Sequence, residues 1–274
     1  TEKKAVGRYL DWHIGILLET DGKMGIYRKK SGKLIYKEKA DSEDGYLGMY
    51  LFLMGKYLEK TENTDLPEYW KKGISLALKK IQSLMQDGIT QVSEENTTVY
   101  LMDNLEVWKG LYELEHAGLK DVQAIREMRN KLQAQIEKLF WDDANQRWRI
   151  IENSNLYHQK EFYPDGVAQI YPLIYEFPVK EKKKQKILYK QFTERFQWQK
   201  LTKKRNGFLW AMTGMAAAQM GDINNLLEMI RNYEAEYCEN RKYPLYTGEA
   251  GWICMECEKL YRLYERKIKT GFLV

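Results

Sequence analysis

Four segments of the sequence place carboxyl groups and aromatic rings where an apolar helical run begins. The first is the stretch from Asp41 to Tyr50, which contains Glu43 and Tyr46. The others are Met102 to Val107, Tyr163 to Ala168 and Tyr246 to Trp252. Carboxylates accept hydrogen bonds from the free N–H groups of a helix start and suit the positive end of its dipole, so one such site can be purely structural. Four sites at matching positions predict one shared face, if the helices run parallel around a ring.

Carboxyl groups and aromatic rings in one cleft are the combination that cleavage of a sugar–sugar bond requires. One carboxylic acid protonates the leaving oxygen, and one carboxylate activates the attacking water. We expect Glu43 to be the general acid, Asp103 to be the first choice of base and Asp165 the second. For each of them, a helix-capping role is the alternative.

The aromatic content supplies candidates for stacking on sugar rings. The chain contains 8 Trp, 20 Tyr and 8 Phe, more than filling a core requires. The expected substrate-binding residues are Tyr46, Tyr100, Trp108, Tyr163, Trp210, Tyr246, Trp252 and the carboxylate Glu249. The alternative for the rings is packing between helices, which we expect for about half of the aromatic residues near the helix starts.

Hydrophobic periodicity predicts the elements that must position these residues. The first predicted helix covers residues 2–19, and a β-hairpin follows at 24–28 and 34–37. Apolar, buried helices are predicted to begin near 44, 103, 166, 208 and 249. Amphipathic helices at 67–86, 119–140, 180–196 and 223–237 alternate with them, and an extended excursion covers 141–151. Inner and outer helices therefore alternate along the chain.

This alternation predicts an all-α fold of helical hairpins, an (α/α)₆-type toroid with short β-hairpin excursions. A repeat of helical pairs forms either an open solenoid or a closed ring, and wholly apolar inner helices favour closure. About ten helices are predicted, two fewer than a six-hairpin ring contains. With five prolines and no Pro-rich or Gly/Ser-rich tract, residues 1–274 are predicted to form a single domain.

The segment from Ser42 to Met49 resembles the Ser-Glu-Gly-x-Gly-Tyr-Gly-Met signature of glycoside hydrolase family 8. Met102 to Val107 is similar to that family's Asp-x-Asp-Leu-Asp-Ile run, and Tyr163 to Pro172 to its Tyr-Asp-Ala-Ile-Arg-Val-Pro element. The chain thus resembles the (α/α)₆-barrel glycoside hydrolases, in particular family 8 and its divergent relative, family 126. The resemblance implies an inverting glycosidase with Glu43 as general acid, acting on a glucan-type poly- or oligosaccharide.

Two alternatives come from other functional classes. A noncatalytic carbohydrate-binding toroid keeps the rings and has lost the chemistry of the acids. A helical-repeat scaffold is an open array without a carboxylate pair across a cleft. Altered signature residues, Asp44 and Gly45, keep the first alternative open.

Composition argues against several further classes. The net charge of +5 includes a lysine run at 180–186 without interleaved aromatic residues, which is typical of solvated surface, so we expect no nucleic-acid partner. Cys254 and Cys257 lie in an apolar helix without a second pair, so we expect buried thiols and no metal. No cofactor motif and no membrane span is predicted, and we expect a monomer. Thr1 in place of Met fits a processed leader, and we expect an extracellular or cell-surface location.

Overall fold

The computed structural model describes residues 2–62, 65–154, 161–200, 210–240 and 245–269. These residues are mostly helical, which confirms the prediction of an all-α chain with a few short strands. Two compact units divide the chain. The first comprises Thr1–Asp142 and Arg149–Asn155, and the second comprises Asp143–Trp148 and Leu156–Val274. The closed ring and the single domain stay predictions.

The first unit contains five helices and several short strands. Its elements are α1 (Glu2–Glu19), β1 (Gly25–Lys30), β2 (Lys33–Lys39), α2 (Glu43–Thr61), α3 (Glu68–Leu84), β3 (Met85–Gln86), β4 (Ile89–Thr90), α4 (Leu101–Glu115), α5 (Gln123–Phe140) and β5 (Trp141–Asp142). Strands β1 and β2 pair antiparallel, as do β3 and β4.

The helices of the first unit alternate in direction. Helix α1 runs antiparallel to α2, since Lys3 reaches the carbonyl of Lys60 and Met24, just after α1, reaches Glu43 at the start of α2. Helix α5 runs antiparallel to α4, because Trp108 contacts Gln133 while Glu115, further along α4, contacts Arg126.

Helices α2 and α4 lie parallel and very close together. A Cβ atom on Gly48 would lie 2.6 Å from the backbone nitrogen of Val107, and one on Gly55 would lie 2.5 Å from the carbonyl carbon of Glu113. A Cβ atom on Gly110 would lie 2.1 Å from the carbonyl oxygen of Gly48. Glycine at these positions lets the two backbones touch, which brings the amino ends of both helices to the same place.

In the first unit, burial distinguishes the predicted inner helix α4 from the predicted outer helix α5. Twelve of the fifteen residues of α4 are buried, whereas α5 buries four of eighteen along one stripe, Ile125, Leu132, Ile136 and Phe140. An amphipathic helix presents such a stripe to the core and its charged face to water.

The second unit also contains inner and outer helices, but its last helix, predicted to be apolar and buried, buries only Glu249, Glu256 and Leu260 among its described residues. Its elements are β6 (Arg147–Trp148), a π-helical turn (Phe162–Gly166), α6 (Val167–Ile174), α7 (Lys182–Phe196), a 3₁₀ turn (Trp198–Lys200), α8 (Thr213–Met220), α9 (Ile223–Tyr233), a second π-helical turn (Glu234–Glu239) and α10 (Thr247–Lys269).

The inner helices α6, α8 and α10 run parallel. At their amino ends, the ring of Trp210 packs on Tyr163, and the N–H of Ala211 bonds to Glu249. At the carboxyl ends of α6 and α8, Gln219 bonds to Glu176. Within each unit, the inner helices therefore start on the same side.

Three sequence predictions need correction. The helix predicted at 67–86 ends at Leu84, because the chain continues into the hairpin β3–β4. Asp87 and Gly88, both with positive φ, form the turn between its two strands. The helix predicted at 223–237 gives way at Glu234 to a π-helical turn. The helix predicted from 208 is observed from Thr213, and residues 201–209 lie outside the described part of the chain.

The predicted burial of the cysteines is wrong. Cys238, Cys254 and Cys257 are free and exposed, because the buried stripe of α10 runs through Glu256 and Leu260 and leaves Cys254 and Cys257 on its outer side. No helix within the described residues is long and apolar enough to cross a membrane.

The contact between α2 and α4 predicts the effect of a minimal substitution. Gly110→Ala should lower the free energy of unfolding by about 2–3 kcal/mol, because the new methyl group meets the backbone of Gly48 and the helices must separate. Gly15→Ala on α1 is the matched control, since no described atom lies within 4 Å of its Cβ position. Urea denaturation of both variants measures the difference, and equal stability would contradict close backbone contact.

Candidate functional site

A buried hydrogen-bond network joins the start of α2 to the hairpin β3–β4 and to α4. The carboxyl of Asp44 is fully buried and lies 2.7 Å from Thr90 Oγ1, 2.9 Å from Ser42 Oγ and 2.9 Å from the N–H of Gly45. Asn104 holds Thr90 in turn, since its Oδ1 accepts from the Thr90 N–H at 2.8 Å and its Nδ2 donates to the Thr90 carbonyl at 2.9 Å. The network fixes the relative position of both helix starts.

The protons of this network can be counted. Thr90 Oγ1 has one proton but lies within hydrogen-bond distance of two acceptors, Asp44 Oδ2 at 2.7 Å and Asn104 Oδ1 at 2.8 Å. A protonated Asp44 removes the conflict, because it donates to Thr90 while Thr90 donates to Asn104. Burial acts in the same direction, since it raises the pKa of Asp44. The carboxyl of Asp44 therefore has a structural role, and burial favours its protonated form.

Asp103 and Glu106 of α4 face the start of α2 next to this network. A Cβ atom on Gly45 would lie 2.7 Å from Glu106 Oε2 and 3.6 Å from Asp103 Cβ. The missing side chain at Gly45 thus provides the space in which two carboxyl groups of α4 meet the first turn of α2. The N-cap of α4 is Tyr100, which makes no side-chain capping bond.

The surroundings of Asp103 favour its uncharged form. Burial, followed by the nearby carboxyl groups of Asp44, Glu106 and Asp41, raises the pKa of Asp103 to about 8, although a hydrogen bond from Ser42 opposes the shift. Unlike Asp44, Asp103 is only partly covered in the fold. A carboxyl group that keeps its proton at neutral pH and is partly accessible can act as a general acid.

Glu43 has a different environment on the other side of the α2 start. Its Oε1 accepts from the N–H of Met24 at 3.3 Å, and its Oε2 lies 3.6 Å from the ammonium group of Lys80. Lys80 is buried and also pairs with Glu94 at 2.6 Å. These are the contacts of a charged carboxylate.

Glu43 also lines a cavity of about 330 Å³. Lys39 and Lys80 lie on its wall with Met24 and the two hairpin tyrosines Tyr27 and Tyr36. Such a volume can hold a small polar ligand or several waters.

The aromatic candidates of the first unit fall into two groups. Tyr46 is 39% exposed, and its phenol lies within electrostatic range of Asp41 and Glu106, so it stands beside the carboxyl cluster. Trp108 is buried in the core, where it stacks on Tyr112 and donates to Gln133 at 3.3 Å. Tyr100 is half-buried at the N-cap of α4 and pairs with Ile151 in a β-bridge.

In the second unit, Tyr163 and Trp210 form an aromatic pair at the amino ends of α6 and α8. Their ring centroids are 4.8 Å apart, and Tyr163 remains 37% exposed. Trp210 has a φ of 60°, a left-handed conformation that costs energy for a bulky residue.

Further candidates of the second unit lie outside this pair. Asp165 is buried in the turn before α6, and Tyr246 is exposed just before α10. Trp252 is half-buried and meets the edge of Tyr175.

Glu249 supports this strained segment. Its Oε2 accepts from the N–H of Ala211, the residue after Trp210, at 2.7 Å. Because Glu249 is buried, this bond holds the segment that carries Trp210. The contact assigns Glu249 a positioning role within its own unit.

Glu256, about two turns after Glu249 in α10, is an unexpected feature of the second unit. Its side chain is 0% exposed, and neither carboxyl oxygen has a hydrogen-bond partner within the described parts of the chain. Burial and then the charge of Glu249 raise the pKa of Glu256 well above its ordinary value of 4.5. The fold therefore disfavours the charged form of Glu256, although the backbone N–H of Gly214 acts in the opposite direction.

Within the described ranges, no group of three or more His, Cys, Asp or Glu side chains could hold a metal ion. Comparisons with protein-family models, with curated proteins and with solved structures find no match to this chain.

Sequence reasoning missed Thr90 and Asn104, the residues that hold Asp44. Asp87-Gly88 is a strong hairpin signal and could have located β3–β4, which carries Thr90. Nothing in the sequence indicates that Thr90 contacts Asp44, 46 positions away. Glu106, one turn after Asp103, is a further acid that the structure brings to the start of α2.

The uncharged state of Glu256 predicts a pH-dependent stability. An acid whose pKa is raised in the folded state lowers the free energy of unfolding at high pH. The reason is that ionisation favours the unfolded chain once the pH exceeds the pKa of the acid in that chain. Glu256→Gln cannot ionise, so it should be more stable than the unaltered protein by about 2 kcal/mol at pH 8 and equal to it near pH 4. Thermal unfolding across this pH range tests the difference.

Glu258→Gln is the matched control for that experiment, since Glu258 lies on the exposed side of α10 and pairs with Arg262 at 2.5 Å. It should change stability little at any pH. A loss of stability in Glu256→Gln at every pH would mean that the Glu256 carboxylate has a charged partner.

Proposed function

We propose that this chain is a glycoside hydrolase whose acid and base lie at the amino ends of α2 and α4. The observation that carries the proposal is that Asp103 and Glu106 meet the first turn of α2 beside the exposed ring of Tyr46, while Glu43 lies at the same helix start and faces a cavity. Carboxyl groups in contrasting environments, next to an aromatic surface, match the chemistry of glycoside hydrolysis.

We assign the general acid to Asp103. Its carboxyl keeps its proton at neutral pH, because burial and neighbouring carboxyl groups raise its pKa to about 8, and it is partly accessible. Burial raises the pKa of Asp44 as well, but the carboxyl of Asp44 is fully buried and hydrogen-bonded within the network, so no substrate oxygen can reach it.

We assign the general base to Glu43. A base must be a charged carboxylate next to a space that holds water, and Glu43 pairs with Lys80 and lines the cavity of about 330 Å³. These assignments exchange the two roles expected from the signature, in which Glu43 is the acid and Asp103 the base.

The reaction follows from these roles. Asp103 gives its proton to the glycosidic oxygen as the bond from that oxygen to the anomeric carbon breaks. A water molecule attacks the anomeric carbon from the opposite face, and Glu43 takes the proton that this water loses. One new C–O bond replaces the broken one, and the configuration at the anomeric carbon inverts.

A noncatalytic carbohydrate-binding protein is the second candidate. It is favoured by the structural use of several acids, since Asp44 is fully hydrogen-bonded, Glu43 is ion-paired and Glu249 holds the backbone of Ala211. This candidate predicts sugar binding without turnover.

Reducing-sugar release from α-glucans, β-glucans, xylan and chitosan distinguishes the two candidates. On the substrate that is cleaved, Asp103→Asn and Glu43→Gln should each reduce the rate by roughly 10²–10⁴-fold, because each removes one proton-transfer group. Glu59→Gln is the control on the same helix, since Glu59 is exposed at the other end of α2 and should leave the rate unchanged. Binding without release by the unaltered protein would contradict a hydrolase.

An activated substrate separates the two roles. A 4-nitrophenyl glycoside of the same sugar has a leaving group that needs no protonation, so Asp103→Asn should retain most of its hydrolysis whereas Glu43→Gln should not. The reverse result would restore the roles expected from the sequence.

The pKa of Asp103 predicts the alkaline limit of the rate. Hydrolysis should fall as the pH rises through about 8, because Asp103 then loses the proton that it must donate. On the 4-nitrophenyl glycoside this fall should disappear. A rate that stays constant to pH 10 on the natural polysaccharide would exclude Asp103 as the acid.

A further inference from the structure

Three polar atoms in the first unit are buried without a hydrogen-bond partner among the described residues. They are Trp12 Nε1 and His13 Nδ1 on α1, and Tyr50 Oη on α2. Tyr50 as a whole is 3% exposed. Buried polar groups in folded proteins nearly always have a partner, so three unpaired atoms close together indicate that a group other than the described residues pairs with them.

The three side chains form one cluster enclosed by aromatic rings. The ring of His13 lies 4.9 Å from that of Tyr50 and 5.6 Å from that of Trp12. Tyr27 of the hairpin meets Trp12 edge-on at 6.0 Å. Tyr9, which is 48% exposed, packs on both Trp12 and His13 from the solvent side, at 5.5 and 5.6 Å.

The chemistry of the cluster selects a neutral ligand. Trp12 offers an N–H donor, and Tyr50 offers a hydroxyl that both donates and accepts. Burial lowers the pKa of His13 to about 4, so its ring is neutral at pH 7 and presents one donor and one acceptor nitrogen. Burial is the cause of the shifts in the pKa of His13 and Tyr50, and no described charged side chain contributes to either shift. His13 and Tyr50 therefore suit a neutral ligand better than a phosphate, a carboxylate or an ammonium group.

The cluster adjoins the carboxyl site along α2. Tyr46 stands beside the carboxyl cluster, and Tyr50 follows it by one helical turn on the same face, about 6 Å along the axis. Tyr27, which meets Trp12, also lines the cavity that contains Glu43. The cluster therefore adjoins the carboxyl site, since Tyr46 is within electrostatic range of both Glu106 and Tyr9.

We propose that Trp12, His13 and Tyr50 form a subsite for one ring of a neutral, polyhydroxylated sugar, with Tyr9 as its cover. The sugar hydroxyls pair with the three polar atoms, and the surrounding rings contact its apolar C–H faces. The side chain of Tyr9 turns outward to admit the ring, since it lies over the cluster and is half exposed. The proposal rests on the proposed function and narrows its substrate class to neutral glycans.

Tyr50→Phe tests the subsite, because it removes one oxygen and leaves the ring in place. Isothermal titration would use maltohexaose, cellohexaose and xylohexaose as neutral probes, with oligogalacturonate and a glucosamine hexamer as charged ones. Both proteins in the titration carry Asp103→Asn, which prevents turnover, and one of them also carries Tyr50→Phe. We expect a neutral probe to bind, and Tyr50→Phe to raise its Kd about tenfold while the melting temperature stays equal or rises.

Tyr57→Phe is the matched control, since Tyr57 lies two turns further along α2 and packs on Trp70. It should leave the Kd unchanged. Equal affinity in Tyr50→Phe, or tighter binding of a charged probe, would overturn the subsite and leave the proposed function standing. A different result would overturn the proposed function and the subsite together. In that result no probe binds the protein that retains Tyr50, and the unaltered protein releases no sugar.

Discussion

The close contact between α2 and α4 is the constraint on which the candidate site depends. Gly48, Gly55 and Gly110 allow the two backbones to touch, and parallel helices in such contact must begin at the same level. Gly45 extends the contact into the first turn, where it leaves room for Asp103 and Glu106. A larger residue at any of these positions would separate the acids that the proposed chemistry brings together.

Parallel helix starts also explain how so many acids can share one region. The amino ends of helices carry partial positive charge and free N–H groups, which offset the mutual repulsion of nearby carboxyl groups. Burial then separates their roles. Asp44 is enclosed and held by Thr90, Asp103 is partly covered and keeps its proton, and Glu43 faces Lys80 and a cavity.

Both units contain polar groups that the fold leaves without partners. Glu256 in the second unit and Tyr50 in the first are buried, and their side-chain oxygens have no hydrogen-bond partner among the residues that the structure describes. Unpaired groups of this kind reduce stability, and proteins retain such costs mainly where function needs them. At Tyr50 the neighbouring unpaired atoms of Trp12 and His13 point to a ligand, whereas Glu256 stands without a second such group and is best described by its protonation.

Although it wrongly predicted that the last helix is buried, the sequence by itself determined which segments are helices and where acids and rings meet a helix start. These are local properties, because a period of 3.6 residues and the chemistry of a helix start are both set by near neighbours in the chain. Most helix bounds were therefore predicted to within a few residues, while the short hairpin after Leu84 was missed and the exposed side of Cys254 was misjudged. Only the tertiary structure decided that Thr90 meets Asp44, that Glu43 faces Lys80 and that Trp108 points into the core. Those pairings join residues far apart in the chain, and their geometry depends on how closely two helices approach, which no local pattern encodes.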